Sequence, residues 1–186
     1  MKILIPMSGI GKRFKDAGYS SPKYLLNSLD KSVLEHILNL FPGEDDINLI
    51  MNKKDFFDHD IKSKVDEIVF NKNIKIHYIE NHKKGPGYAL LSSGLLETED
   101  EVFINYCDFS CYWDFEHFKK FLINEKFDGV IPSYRGFHPH SLGITNYAYL
   151  QIKNNKVLKV QEKKPFTNNR MNEYASSGTY YFKKGL

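Results

Sequence analysis

The N-terminal segment contains the residues whose types and spacing are best suited to binding phosphate. Gly9 and Gly11 follow a short apolar run, Arg13 comes next, and Pro22 and Lys23 lie further along the chain. Glycine has no side chain to obstruct a ligand, so consecutive backbone N–H groups can turn toward one centre and form a concave anion site. Pro22 restricts the backbone that carries the Lys23 ammonium group. We therefore expect a phosphate site whose charges are Arg13 and Lys23.

Two better-known phosphate motifs do not match this segment. The dinucleotide fingerprint G-x-G-x-x-G requires a third glycine where this sequence has Phe14. The Walker loop G-x-x-x-x-G-K-[ST] requires Ser or Thr after its lysine, whereas Arg13 follows Lys12. The alternative without a ligand is a glycine-rich turn between a strand and a helix, with its cations exposed to solvent. If a nucleotide binds, Met7 and Ser8 belong to the same binding turn.

The composition favours a folded domain over a membrane or nucleic-acid-binding protein. The chain has 186 residues, of which 41% are hydrophobic and 26% charged, which is enough for one domain with a real core. No apolar run approaches the roughly 18 residues of a membrane span, and the N-terminus lacks the apolar region of a signal peptide. The arginines are Arg13, Arg135 and Arg170, so bidentate recognition of bases is poorly supplied. We expect one cytoplasmic domain, 1–186, without nucleic acid or membrane partners; homo-oligomer formation stays open.

Hydrophobic periodicity predicts alternating strands and helices over most of the chain. Ser32 and Glu35 have capping-box spacing, and the apolar positions after them recur at helical spacing until Pro42. The predicted strands of this part are Lys2–Pro6, Ile47–Met51, Ile74–Ile79, Val102–Tyr106 and Gly129–Pro132. The other predicted helices are Asp55–Asp66, Pro86–Leu96 and Phe115–Leu122.

The pattern changes from about Gly143 onward. Three strands separated by turn residues are predicted there, at Tyr147–Ile152, Lys156–Gln161 and Tyr174–Phe182. Strands that alternate with helices indicate a Rossmann-like α/β fold, with a mostly parallel sheet and helices on both faces. The late strands add a β-rich C-terminal portion to this sheet.

The spacing G-x-G-x-R-F followed by Pro22-Lys23 resembles the sugar-phosphate nucleotidyltransferase family. Members of this family join a nucleoside triphosphate to a phosphorylated sugar or similar alcohol and release pyrophosphate. The resemblance covers nearly the whole chain in order and implies a GT-A-like nucleotidyltransferase fold. It assigns triphosphate binding to Gly9, Gly11, Arg13 and Lys23, and it implies a place in the synthesis of surface polysaccharide precursors.

The same resemblance implies a base-binding segment and a metal-binding acid. Gly85 matches a glycine near the base, although Pro86 departs from the family's Gly-Thr-Ala pattern, and either Glu80 or Asn81 contacts the base edge. Asp108 follows a predicted strand at the position of the family's Mg²⁺ ligand. Mg²⁺ bound to phosphates takes one or two carboxylates plus waters. The simpler alternative is that Asp108 only caps a turn.

On the acceptor side, Gln161-Glu162-Lys163-Lys164-Pro165 resembles the family's Glu-Lys-Pro motif with one additional lysine. The resemblance implies that Glu162 accepts hydrogen bonds from the acceptor's hydroxyl groups. It implies that Lys163, or Lys164 if the motif is counted back from the proline, pairs with the acceptor's phosphate. Gly143 and Gly178 correspond to glycines that line the acceptor pocket. An exposed, charged strand end is the alternative without function.

One part that the resemblance implies is missing. The family has a second metal-binding Asp beyond the segment that corresponds to Thr179–Phe182, and this sequence stops at Leu186. Three explanations stay open: the chain is truncated, one acid suffices, or the domain binds nucleotide without efficient catalysis. A glycosyltransferase that uses Asp108-Phe109-Ser110 as a degenerate D-x-D motif is a further alternative. The base (cytosine, uracil, thymine or guanine) and the acceptor are not decided by the sequence.

Overall fold

The chain folds into two compact units. The first comprises Met1–Gly129 and Tyr181–Leu186, and the second comprises Val130–Tyr180. The computed structural model describes residues 1–125, 127–138, 141, 145 and 147–186. Within these ranges the strands are β1 (Lys2–Pro6), β2 (Asn27–Ser28), β3 (Lys31–Ser32), β4 (Ile47–Asn52), β5 (Ile74–Ile79), β6 (Val102–Asn105), β7 (Gly129–Val130), β8 (Ser133–Tyr134), β9 (Ala148–Lys153), β10 (Lys156–Glu162), β11 (Tyr174–Ser176) and β12 (Thr179–Phe182). The α-helices are α1 (Lys12–Asp16), α2 (Val33–Leu38), α3 (Lys53–Phe57), α4 (His59–Val69), α5 (Pro86–Ser92) and α6 (Phe115–Asn124).

The central sheet has the order β5-β4-β1-β6-β12-β7. Strand β1 pairs in parallel with both β4 and β6, and β4 pairs in parallel with β5. Every residue of β4 and β6 is buried, as is β1 after its first residue. Because successive side chains of a strand point to opposite faces, burial at every position means that both faces of these strands are covered. The predicted α/β fold with a mostly parallel sheet is confirmed.

An aromatic cluster fills part of the core of the first unit. The ring centroid of Phe103 on β6 lies 5.4 Å from that of Phe41, 5.6 Å from Trp113, 5.8 Å from Phe115 and 5.6 Å from Phe118. Offset and edge-to-face aromatic pairs at such distances add stabilisation beyond the area that they bury. The cluster therefore holds the N-terminal part of β6 in the core. The C-terminal end of this strand leads to Asp108, the predicted metal ligand.

The helices begin where capping residues follow strands or turns. Ser32 and Glu35 form the predicted capping box at α2. The single helix predicted over Asp55–Asp66 is instead two helices, because Asp58 ends α3 and its carboxylate accepts the N–H of Ile61 as the cap of α4. The helix predicted over Pro86–Leu96 ends at Ser92, because Gly94 takes a left-handed φ of 69°.

The second unit contains an antiparallel sheet of order β10-β9-β11-β8. The strand predicted over Tyr174–Phe182 is broken into β11 and β12 at Gly178, which has a left-handed φ of 78°. The chain leaves the first unit within β7 and returns to it within β12.

Within the described residues, the helices are all too short or too polar to cross a membrane.

We expect Phe103→Ala to lower the free energy of unfolding by about 3–5 kcal/mol, because it removes the ring that contacts four other aromatic side chains. The matched variant Ile123→Ala changes a side chain that is 81% exposed, and we expect a change within about 0.5 kcal/mol. Urea denaturation followed by tryptophan fluorescence measures both. Equal losses in the two variants would show that the aromatic cluster does not carry the core.

Candidate functional site

The predicted phosphate loop begins at the carboxyl end of β1. Met7 and Ser8 are buried, whereas Gly9 is exposed. Gly11 has a left-handed φ of 61° and directly precedes α1, so the expected helical turn after this glycine is present. A side chain at Gly11 would be strained whatever space surrounds it. The loop therefore passes from buried backbone to an exposed turn that carries Arg13 at its edge.

Lys23 and Asp108 form an ion pair, although they are 85 positions apart in the sequence. The Lys23 ammonium nitrogen lies 2.6 Å from Oδ2 of Asp108. Lys23 begins a 3₁₀ turn that ends at Leu25, and Asp108 follows β6. The side chains are 21% and 42% exposed, respectively. A partly exposed pair contributes little net stability, so either partner can be exchanged for a ligand at small cost.

Burial and neighbouring charges act on Lys23 in opposite directions. Burial lowers its pKa, but Cys107, once it ionises at high pH, and the Asp108 carboxylate outweigh this effect and raise the pKa above its ordinary value, while Arg13 opposes them. Burial raises the pKa of the Cys107 thiol to about 11. At neutral pH the thiol is therefore uncharged, and Asp108 alone balances the ammonium group.

A cavity of about 250 Å³ opens beside the phosphate loop. This volume is below the roughly 300–1,000 Å³ of typical small-molecule pockets, so it is suited to part of a nucleotide. Its wall includes Gly9, Gly11, Lys23, Asp55 and Asn81.

Of the two candidates for the base edge, Asn81 lies at the cavity and Glu80 does not line it. The Asn81 side chain accepts the backbone N–H of Lys54 through Oδ1 at 3.3 Å. Glu80 is 77% exposed and is paired with Lys53 at 2.6 Å. Gly85 is exposed and precedes α5 with a φ of 85°, and Pro86 is the first residue of that helix. The proline that departs from the family pattern thus occupies a position that suits it.

Two polar contacts behind the phosphate loop were not expected from the sequence. The Ser8 hydroxyl lies 3.1 Å from Nε2 of His82, whose Nδ1 accepts the backbone N–H of Lys84. The Nδ1 contact leaves the proton on Nε2, which donates to Ser8. Burial and then the charge of Lys84 lower the pKa of His82, in keeping with a neutral ring. Tyr24 and Asp55 form the second contact, at 2.9 Å.

Asp108 is the residue predicted to bind a divalent cation. Over the described ranges, no three His, Cys, Asp or Glu side chains come together as a metal cluster. Mg²⁺ in phosphate sites takes one or two carboxylates and completes its shell with waters and phosphate oxygens. Since Lys23 contacts Oδ2, the second carboxylate oxygen of Asp108 fits that donor set. One acid is thus compatible with a metal carried in by the triphosphate.

The predicted acceptor residues Glu162, Lys163 and Gly178 belong to the second unit, and Gly143 lies outside the described residues. Lys163 has a left-handed φ of 58° directly after β10. The chain therefore turns at Lys163, directly after the end of β10. Its ammonium group lies 3.7 Å from Oε1 of Glu162, and both side chains are largely exposed.

The chain has the same fold as solved structures of nucleotidyltransferases. A nucleoside-diphosphate-sugar pyrophosphorylase from Vibrio cholerae RC9 superposes with a TM-score of 0.67 at 18% identity, over 98% of this chain and 73% of that one. A putative glucose-1-phosphate thymidylyltransferase from Bacillus anthracis gives 0.72 at 19% identity, over 98% and 71%. An inositol-1-phosphate CTP transferase from T. maritima gives 0.71 at 14% identity, over 98% and 70%. No protein-family model matches the sequence.

These likenesses establish the class of fold. The chain has the mixed α/β fold seen in nucleotide-sugar pyrophosphorylases and sugar-phosphate nucleotidyltransferases, as the N-terminal motif led us to expect. At identities of 14–19% the likeness concerns the fold, and the activity has to be argued from the residues of the site.

We expect alkylation to distinguish the two cysteines near this site. Cys107 is buried and Cys111 is exposed. Because the thiolate is the nucleophile and must be reached by the reagent, iodoacetamide at about pH 8 modifies Cys111 in the folded protein and spares Cys107. Peptide mass spectrometry measures both rates, and the urea-denatured protein is the control in which both react. Equal rates in the folded protein would place Cys107 at the surface and contradict the geometry around Lys23.

Proposed function

We propose that this chain is a nucleotidyltransferase that joins a nucleoside triphosphate to a phosphorylated sugar or similar phospho-alcohol and releases pyrophosphate. We further assign its product to the supply of activated precursors for a surface polysaccharide. The observation that carries the proposal is the contact between Lys23 and Asp108 beside the glycine loop. Lys23, which the resemblance assigns to the triphosphate, and Asp108, which it assigns to Mg²⁺, lie within hydrogen-bonding distance although they belong to separate segments of the sequence.

The reaction is an in-line displacement at the α-phosphorus of the triphosphate. An oxygen of the acceptor phosphate forms the new P–O bond, the bond to the β-phosphate oxygen breaks, and pyrophosphate leaves with that electron pair. No covalent intermediate on the protein is required. Catalysis then rests on positioning and on stabilising charge that develops in the transition state.

Each site residue has a role in this reaction that suits its chemistry. Backbone N–H groups of the Gly9–Gly11 loop bind phosphate oxygens without side-chain obstruction. Arg13, which is exposed at the edge of the loop, stabilises the charge that grows on the leaving pyrophosphate. Lys23 holds a phosphate near the reacting centre, having exchanged the carboxylate of Asp108 for it.

Asp108 would bind Mg²⁺ once a phosphate group of the triphosphate has replaced it as the partner of Lys23. When bound, the ion neutralises phosphate charge as a Lewis acid. Asn81 contacts the base, since it lies at the cavity and its amide N–H₂ group has no partner among the residues that the structure describes. Glu162, Lys163 and Gly178 of the second unit are assigned to the acceptor by the motif that they match, and we propose this role for them.

We expect Lys23→Ala and Asp108→Asn each to lower turnover at least about tenfold, equivalent to about 1.4 kcal/mol in the barrier. The assay is pyrophosphate release with Mg²⁺, screened over the common triphosphates with sugar 1-phosphates and small phospho-alcohols. The first variant removes the cation that holds phosphate, and the second removes the charge that binds the metal.

The ion pair between Lys75 and Asp46 offers a matched control. It has a length of 2.8 Å and lies at the amino ends of β4 and β5, at the opposite edge of the sheet from the phosphate loop. We expect Lys75→Ala and Asp46→Asn to leave turnover within about twofold of wild type. Wild-type turnover in Lys23→Ala or Asp108→Asn would remove these residues from the mechanism. Triphosphate binding without pyrophosphate release in the unmodified chain would indicate a nucleotide-binding domain that has no catalytic activity.

We expect Asn81→Ala to raise the KM for the preferred triphosphate about fivefold, because the loss of one neutral hydrogen bond costs about 1 kcal/mol. The adjacent Glu80→Ala is the control, since Glu80 is paired with Lys53 and does not line the cavity. Steady-state kinetics with each triphosphate measures both variants. An equal KM in Asn81→Ala and Glu80→Ala would place the base elsewhere.

A further inference from the structure

The residue that follows Lys23 is anchored in the core. Tyr24 is 1% exposed, and its hydroxyl donates to Oδ2 of Asp55 at 2.9 Å. Burial and the neighbouring Asp55 carboxylate raise the pKa of this tyrosine, so the hydroxyl remains a donor at any ordinary pH. The contact joins the 3₁₀ turn to α3 across 31 positions of the sequence.

Asp55 in turn is bound to the end of β4. Asn52 donates from Nδ2 to the same Oδ2 of Asp55 at 2.8 Å, and its Oδ1 accepts the backbone N–H of Asp55 at 2.8 Å. The Asn52 amide group also lies 3.5 Å from the backbone carbonyl oxygen of Ser8. Oδ2 of Asp55 thus joins the turn that carries Lys23 to Asn52, and the Asn52 amide group in turn contacts the phosphate loop at Ser8.

This connection determines where the Lys23 ammonium group can reach. A 3₁₀ turn has about three residues per turn, so the side chains of neighbouring residues leave it in different directions. Tyr24 can therefore be buried while Lys23 extends to Asp108. The backbone N–H of Leu25 donates to the carbonyl of Pro22 at 2.9 Å and closes the turn. The lysine stem is flexible, so the position of its ammonium group depends on how firmly this backbone is held.

We propose that Tyr24 and Asp55 are positioning residues for nucleotidyl transfer, which hold the Lys23 turn near the phosphate loop through hydrogen bonds from Tyr24 to Asp55 and from Asn52 to both Asp55 and Ser8. The proposal rests on the function proposed above. Neither residue contacts the reacting phosphates in this role. Both act through Lys23, whose placement relative to the reacting phosphorus controls the rate.

The same unit contains a hydrogen bond that is its structural counterpart. Tyr181 is 3% exposed, and its hydroxyl donates to Oε1 of Glu101 at 2.7 Å. Glu101 precedes β6, at the amino end of the sheet. In both contacts a buried tyrosine donates its hydroxyl hydrogen bond to a carboxylate. They differ in that Tyr24 is next to Lys23 in the sequence, whereas Tyr181 is not. Removing each hydroxyl separates loss of packing from loss of positioning.

The experiment compares Tyr24→Phe with Tyr181→Phe. Both keep the aromatic ring, so both fold, and we expect similar decreases in Tm. Since a misplacement of about 1 Å at a reacting group costs up to about 100-fold in rate, we expect kcat to fall at least about tenfold in Tyr24→Phe and to stay within about twofold in Tyr181→Phe. KM for the triphosphate changes less than kcat in Tyr24→Phe, because the loop and the cavity still bind it.

Asp55→Ala provides a second variant of the same contact. We expect it to lower kcat as Tyr24→Phe does, and the double variant to lose no more than about twofold beyond either single one, because both remove one connection. Equal kcat in Tyr24→Phe and Tyr181→Phe overturns the proposal, as does full additivity in the double variant.

A chain that releases no pyrophosphate with any triphosphate would refute the proposed function by a separate result. The positioning proposal is then decided by calorimetry with the triphosphate that binds most tightly. Weaker binding in Tyr24→Phe than in Tyr181→Phe supports it. Equal affinity in the two variants, or no triphosphate binding by the unmodified chain, overturns it.

Discussion

The parallel pairing of β1 with β4 on one side and β6 on the other is the constraint on which the site depends. Parallel strands have their carboxyl ends at the same edge, so the segments that follow these three strands begin next to one another. The phosphate loop, the Asn52 cap of α3 and Asp108 are those segments. The apolar side chains on both faces of these strands hold the strands in the core. The polar residues that follow the strands therefore lie close together because of the strand pairing, and not because of contacts between the polar residues themselves.

The second determinant of the site is the pairing of its charged side chains. Asp108 follows β6 at this edge of the sheet, and Lys23, on the 3₁₀ turn, pairs with it. A buried, unpaired ammonium group would be costly, whereas a partly exposed one with an exchangeable partner is not. Cys107 stays neutral under Lys23 because burial raises its pKa. The charges of Lys23 and Asp108 therefore balance each other.

The sequence patterns predicted those features that depend on local chemistry. The short apolar runs predicted the central strands, and the capping pair Ser32 and Glu35 predicted the start of α2. The resemblance predicted Lys23 as a triphosphate-binding residue and Asp108 as a Mg²⁺ ligand, and the two side chains lie in contact. The helix over Pro86–Leu96 was predicted too long because apolar periodicity continues past Gly94, where the backbone turns.

Contacts between distant segments were not predictable in this way. The choice between Glu80 and Asn81 depends on which side of the chain faces the cavity just after a strand, where a shift of one residue reverses the answer. The bond from Tyr24 to Asp55 leaves no pattern in the sequence, since Tyr24 is one of 12 tyrosines and its partner lies on another element.

The order of strands in the central sheet has a consequence for how the protein folds during synthesis. Strand β12 lies between β6 and β7, yet it is made after the whole second unit. Until β12 is made, the edge of β6 lacks its neighbour, and the two residues of β7 have no strand to join. An open edge beside a buried apolar strand invites pairing with other chains. During synthesis the first unit therefore has an unpaired edge at β6, and the time needed to make the second unit sets how long that edge stays open.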